Sequence, residues 1–138
     1  MRLIFLGDVL GRAGREAVTR HLPVLRDRFA PDCVVVNGEN ATHGFGLSAE
    51  HFRLLRDAGA DVVTLGNHAF DQRELLTVIE REDRLIRPLN WPKGCPGRGA
   101  TMVETAKGHR YVVVDTDLHA FAQEPAKGDR AGRKAGFV

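Results

Sequence analysis

Apolar residues in this chain cluster into short runs separated by glycine, proline and acidic punctuation. Leu3-Ile4-Phe5-Leu6 ends at Gly7-Asp8, which predicts a buried strand over Arg2–Leu6 and then a turn. Ala17, Val18, His21, Leu22, Leu25 and Phe29 recur at helical spacing, so a helix is expected over Gly14–Phe29. Pro23 lies inside that pattern, but the periodicity resumes at Leu25, so a kink rather than a stop is expected. After Pro31-Asp32, the β-branched run Cys33–Val36 is a second buried strand. Gly38, Gly44 and Gly46 mark a loop. Ser48 is a natural N-cap for a helix over Ala49–Ala58, and Gly59 is a natural stop. Asp61–Leu65 gives a third strand, halted by Gly66. Asp71 and Glu74 have capping-box spacing, with Asp in the Ser/Thr place, and predict a helix running to about Glu82.

Strand and helix thus alternate three times, the pattern of a parallel sheet with right-handed crossovers. The texture then changes. Pro88, Pro92, Pro96, Gly94, Gly97 and Gly99 make 88–99 an irregular loop, and Ala100–Glu104 with Arg110–Asp115 flank Ala106-Lys107-Gly108 as an antiparallel hairpin. From Ala120 onward the chain is rich in Ala, Gly and Lys/Arg without an apolar period, and a poorly ordered tail is expected. The expected organisation is an α/β unit over 1–115 followed by an atypical segment over 116–138.

The 138 residues fit one domain, with 43% hydrophobic and 28% charged residues. A formal charge of +2, with the signs mixed along the chain, gives no footprint for nucleic acid, so no sequence-specific nucleic-acid partner is expected. No apolar stretch approaches the ~20 residues of a membrane span, and the N-terminal run is too brief for a secretory signal. Two cysteines, Cys33 and Cys95, lack metal-type spacing; Cys33 reads as core, and a reduced, cytoplasmic protein is expected.

Candidate chemistry gathers at the strand ends, where ligands bind in open α/β sheets. The first strand delivers Asp8, the second Glu39 and Asn40, the third Asn67 and His68. Carboxylates and amide oxygens are hard donors, suited to iron, manganese or magnesium. Asp8 is placed to hold one metal and Asn40 with Asn67 another, with Glu39 reaching both. His68, beside a ligand, is placed to give a proton to a departing oxygen. His43 and Phe45, in the glycine loop, are candidate substrate contacts, with Phe45 stacking on a base; Arg12 is a candidate phosphate contact. His21 and His51 read as bystanders and Asp71 as a helix cap. Gly7, Gly11 and Gly14 lack the G-x-G opening of a dinucleotide-binding turn.

Gly7-Asp8-Val9-Leu10-Gly11-Arg12, Asn37-Gly38-Glu39-Asn40 with Gly44-Phe45-Gly46, and Gly66-Asn67-His68 followed by Asp71 together resemble the YmdB-type metallophosphoesterases. The proline-rich stretch from Arg87-Pro88 to Gly99 resembles that family too, and the resemblance runs from Met1 to about Val114. It implies the first half of a calcineurin-like layered α/β sandwich, parallel strands with flanking helices followed by a β-hairpin. It also implies a dimetal 2′,3′-cyclic-nucleotide 2′-phosphodiesterase, with Asp8, Glu39, Asn40 and Asn67 as metal ligands and His68 as proton donor. Two metal ions, iron foremost, and a cyclic-nucleotide or other phosphoester substrate follow from the same resemblance. Nothing after Asp115 resembles the family's second half, and His109 and His119 fall outside its motifs. A truncated or frame-shifted member with low turnover is the expectation, its uncovered sheet face favouring a homo-oligomer. The alternative is a non-catalytic metal- or nucleotide-binding remnant or an oligomerising subunit.

Overall fold

The structure is a computed structural model that describes residues 1–118. The tail expected from Ala120 onward, and His119, lie outside the described residues. Four strands, β1 (Leu3–Leu6), β2 (Cys33–Asn37), β3 (Val62–Thr64) and β4 (Leu85–Ile86), form one sheet in the order β1-β2-β3-β4. Every pairing in it is parallel. Helices α1 (Gly11–Phe29), α2 (Ala49–Asp57) and α3 (Leu76–Ile79) lie in the connections, and β5 (Ala100–Glu104) pairs antiparallel with β6 (Arg110–Val114).

A sheet whose strands follow in sequence order, joined by crossovers of one hand, receives all its helices on one face. Val34 and Val36 of β2 and Val63 of β3 accordingly share a core with Val18 and Leu22 of α1 and Phe52 and Leu55 of α2. Alternation along the strands turns Cys33, Val35, Val62 and Ile86 to the opposite face, where Val103 and Val113 of the hairpin cover them. The result is three layers, helix, parallel sheet and hairpin, as expected. Strand β1 is not buried as expected: none of its four residues is fully covered, and Leu3 and Phe5 line a pocket with Val112 and Val114 of β6. Leu3 and Phe5 are 53% and 60% exposed, beside Val112 and Val114 on the outer side of β6.

Local signals explain most boundaries. Ser48 caps α2, its hydroxyl accepting from the His51 N–H at 3.1 Å. Pro23 sits within α1, which continues to Phe29 and closes on Ala30 in the left-handed conformation just before Pro31. Three expectations are corrected. Helix α1 opens at Gly11, three residues early. The helix expected from Asp71 to about Glu82 shrinks to two short 3₁₀ turns and the four residues of α3. Its capping box does not form, because Asp71 bonds His68 and the Glu74 carboxylate accepts from the Ala49 N–H. The β-branched run Thr77-Val78-Ile79 adds little helix propensity to hold it. The two-residue strand β4 carries too little pattern to be read from sequence.

Polar groups fasten the loops and layers. The Arg87 guanidinium, 8% exposed, donates to the carbonyls of Pro88, Cys95 and Pro96 and so holds the proline loop. At the base of the sheet, Asp32 accepts from the Arg2 N–H at 2.8 Å, while Lys107 of the hairpin turn lies 3.2 Å from its other oxygen. These partners, the Arg2 N–H first and Lys107 next, hold the Asp32 carboxyl below the usual carboxylate range. A depressed native value stabilises the fold above the unfolded value, about 4. That stability is lost as pH falls through the native one. Asp32→Asn is therefore expected to flatten the fall of Tm below about pH 4. Thermal denaturation of both proteins across the acid range checks this; parallel Tm curves would refute the assignment.

Candidate metal centre at the strand ends

Parallel registers place Leu6 against Val36 and Asn37 against Thr64, so β1, β2 and β3 release their loops at one edge. Backbone bonds then lace the loops together. The Val9 N–H donates to the Asn37 carbonyl at 3.1 Å, Gly11 to Asn40 at 2.9 Å, and Gly38 to Thr64 at 2.9 Å. The chain leaves β1 through a cis Gly7–Asp8 peptide, and the Asp8 carboxylate accepts from Asn40 Nδ2 at 2.7 Å. That bond spends the amide nitrogen of Asn40 and leaves its oxygen as a neutral donor.

Glu39 is the most constrained of the group. Its Oε1 accepts from Asn37 Nδ2 at 3.2 Å, and that amide also lies 3.4 Å from Thr64 Oγ1. Glu39 Oε2 and Asn37 Oδ1 are buried and have no hydrogen-bond partner among the described residues. The carboxylate lies against Gly66, where a Cβ would fall 2.1 Å from Oε2. Gly66 also adopts φ +46°, so its missing side chain is required twice over. A buried, unpaired carboxylate oxygen costs more than the about 1–3 kcal/mol of a neutral orphan. A hard cation against Oε2 removes that cost. Among the described residues no three His, Cys, Asp or Glu side chains gather as a metal group. The donor set here is instead two carboxylates and two amides, which suits a hard cation rather than zinc.

Asn67 is exposed in the 3₁₀ turn Gly66–His68 that follows β3. His68 Nδ1 lies 2.6 Å from Asp71 Oδ2. Asp71 is thus the orienting partner of His68, in correction of the helix-cap expectation; ionised, it places the proton on Nδ1 and leaves Nε2 for chemistry. The Phe45 ring stands edge-on to His68 with centroids 6.1 Å apart, and Gln72 Nε2 donates to the Phe45 carbonyl at 2.8 Å. His43 is exposed in the same loop. Arg12 pairs with Glu16 at 2.7 Å one turn along α1. It lines an open groove between α1 and α2. His51 ties the glycine loop to α2 through Thr42 Oγ1 at 2.7 Å, and burial, then the charge of Arg15, lowers its pKa.

Sequence reasoning missed Asn37, Asp71 as a histidine partner, and Asp115. Asn37 was legible as a polar residue closing a buried apolar run, Asp71 as an acid three residues after His68. Asp115 is buried and accepts from the N–H groups of Leu65 and Gly66, a contact across 49 residues that no local pattern announces. Burial pushes its carboxyl up against the opposing pull of those N–H bonds.

A family model described as "YmdB-like protein" matches residues 4–128, continuing past Val114, where the recognisable motifs end. The chain belongs to the YmdB-like family. It is 40% identical over 121 residues to the 2′,3′-cyclic-nucleotide 2′-phosphodiesterase of Bacillus subtilis (strain 168), covering 88% of this chain and 46% of that relative. A solved structure of a hypothetical protein from Thermus thermophilus superposes with TM-score 0.75 at 41% identity, over 88% of this chain and 51% of that one. A novel phosphatase from Mycoplasma pneumoniae also gives TM-score 0.75, at 37% identity over 84% and 42% of the two chains. The YmdB-like chain spans about half the length of these relatives.

Gly66→Ala tests the cradle. The left-handed backbone alone costs on the order of 1–2 kcal/mol for a residue with Cβ. Displacement of Glu39 adds to it. Urea denaturation is expected to show that loss or more, and an unchanged midpoint would contradict the packing of Gly66 on Glu39.

Proposed function

We propose that the strand-end cluster is the metal-binding part of a phosphodiesterase site that acts on 2′,3′-cyclic nucleotides. The observation that carries this reading is the buried, unpaired Glu39 Oε2 at the edge that also holds Asp8, Asn40 and Asn67. Membership of the YmdB-like family and the name of the Bacillus subtilis relative support it. Asp8, Glu39, Asn40 and Asn67 would hold two cations, with iron the first candidate and manganese or magnesium the others. Cations there supply Lewis-acid stabilisation of phosphoryl oxygens and an acidified water.

The chain's own residues supply the rest. Asp71 fixes the His68 ring, and an imidazolium proton on Nε2 passes to O2′ as a water-derived hydroxide oxygen bonds phosphorus and the P–O2′ bond breaks, leaving the phosphate on O3′. The exposed Phe45, beside His68, offers a stacking face for the base, and His43 in the same loop a polar contact. Arg12 in its pair with Glu16 would have to exchange that partner to meet a phosphate. The free thiols of Cys33 and Cys95 accord with a cytoplasmic setting. Among the described residues no helix is long and apolar enough to cross a membrane.

Titration of the chain with Mn²⁺ and with Fe²⁺, and assay with 2′,3′-cyclic AMP, test the proposal. Saturable binding is expected, lost in Asp8→Ala and Glu39→Ala. Release of 3′-AMP is expected to be slow, because four side-chain donors fill few of the positions two octahedral cations prefer. His68→Ala should lower it a further ~10²–10⁴-fold. Release that needs neither metal nor Asp8 would overturn the assignment. Binding of metal and nucleotide with no release at all would instead establish the non-catalytic reading that the small donor set favours.

The exposed apolar residues Leu3, Phe5, Val112 and Val114 support self-association through the hairpin-side face of β1. Sedimentation of the unaltered chain should show a dimer or larger species, and Phe5→Glu should shift it to monomer. A monomeric unaltered chain would refute this.

A further inference from the structure

The carboxylate of Asp115 ties the hairpin layer to the strand-end site. It follows β6 and crosses back over the carboxyl end of β3, where Oδ2 accepts from Leu65 N–H at 3.1 Å and Gly66 N–H at 2.9 Å. Its own backbone is fixed from two further sides, its N–H donating to Gly99 O at 3.1 Å and its carbonyl accepting from Leu89 N–H at 2.8 Å. Leu65, the residue before Gly66–His68, offers the turn no side-chain cap. The other side of Gly66 packs on the Glu39 carboxylate. Gly66 is therefore held between two carboxylates, one accepting its N–H and one filling the space of its missing side chain.

We propose that Asp115 is a positioning residue for the strand-end site: it sets the Gly66-Asn67-His68 turn against Glu39, so that the donors of β2 and β3 meet one cation. The inference depends on the reading that Glu39 and Asn67 bind metal. Asp115 touches neither metal nor substrate in this role. It acts through two backbone N–H groups, and any side chain that accepts both at the same place should serve.

The test uses the full 138-residue chain and Mn²⁺ alone, with affinity measured by calorimetry at a temperature where circular dichroism shows every variant folded. Asp115→Ala is expected to weaken Mn²⁺ binding by about 10-fold or more, the usual scale for residues that orient metal ligands. Asp115→Asn, whose Oδ1 accepts the same two N–H groups, should restore near-normal binding. Should the Ala variant fail to fold, Asp115→Glu keeps the charge but lengthens the side chain, and should also weaken binding. Trp91→Phe is the control for stability alone. It deletes the 3.0 Å bond from Trp91 Nε1 to Asp117, two residues along the same segment, and leaves the bonds of Asp115 to Leu65 and Gly66 in place. It should lower Tm and leave Mn²⁺ affinity unchanged. Wild-type affinity in Asp115→Ala or Asp115→Glu would overturn the proposal, as would an equal loss in Trp91→Phe. In either case Asp8→Ala still reports on the metal reading itself. An unaltered chain that binds no Mn²⁺ would overturn both.

Discussion

Parallel pairing in strict chain order is the constraint from which the rest of this architecture follows. Strands β1 to β4 neighbour one another as they occur in sequence, so each crossover steps the same way and the helices fall on one face. The opposite face is then left to whatever chain comes next, and the β5–β6 hairpin covers Cys33, Val35, Val62 and Ile86 there. The same pairing delivers every strand's carboxyl end to one edge. A site assembled from Asp8, Glu39, Asn40 and Asn67 thus needs no single motif that contains them all.

Acidic residues of one chemical type take unlike roles because their surroundings differ. Asp32 receives a backbone N–H and a lysine and is held in its charged form. Asp115 is buried, with N–H groups as its named partners, and its carboxyl is pushed up despite them. Asp71 serves an imidazole at 2.6 Å. Glu39 keeps one oxygen with Asn37 and the other without a partner among the described residues. Of these four, Glu39 alone has a buried oxygen left without a partner among the described residues, which is why it carries the proposed metal site. The carboxylates with partners shape the frame in which the unpaired one is presented.

Two of the hairpin's fastenings lie at opposite ends of the sheet. Lys107 in its turn meets Asp32 at the amino-terminal base of the sheet, and Asp115 at its exit meets the turn after β3 at the carboxyl edge. A layer held at both ends of the sheet covers the apolar face and also reaches the site. What it leaves open is the β1 flank, with Phe5 at 60% exposure.

The sequence by itself determined the elements whose signal is local. Apolar runs bounded by glycine and acid announce β1, β2 and β3, Ser48 and Gly59 bracket α2, and Ala106-Lys107-Gly108 announces the hairpin. Because parallel strands end together, it also determined which residues gather at one edge. Tertiary structure decided whatever depended on partners distant in the chain. Asp71 and Glu74 have capping spacing, yet His68 and the Ala49 N–H offer bonds that compete with it, and the helix contracts to one turn. Strand β4 is two residues long and exists because β3 offers an unpaired edge. The carboxylate of Asp115 is fixed by N–H groups 49 and 50 residues away. Periodicity records which face a residue turns inward, but not which hydrogen-bonding group it meets there, and that pairing exists only once the layers have closed.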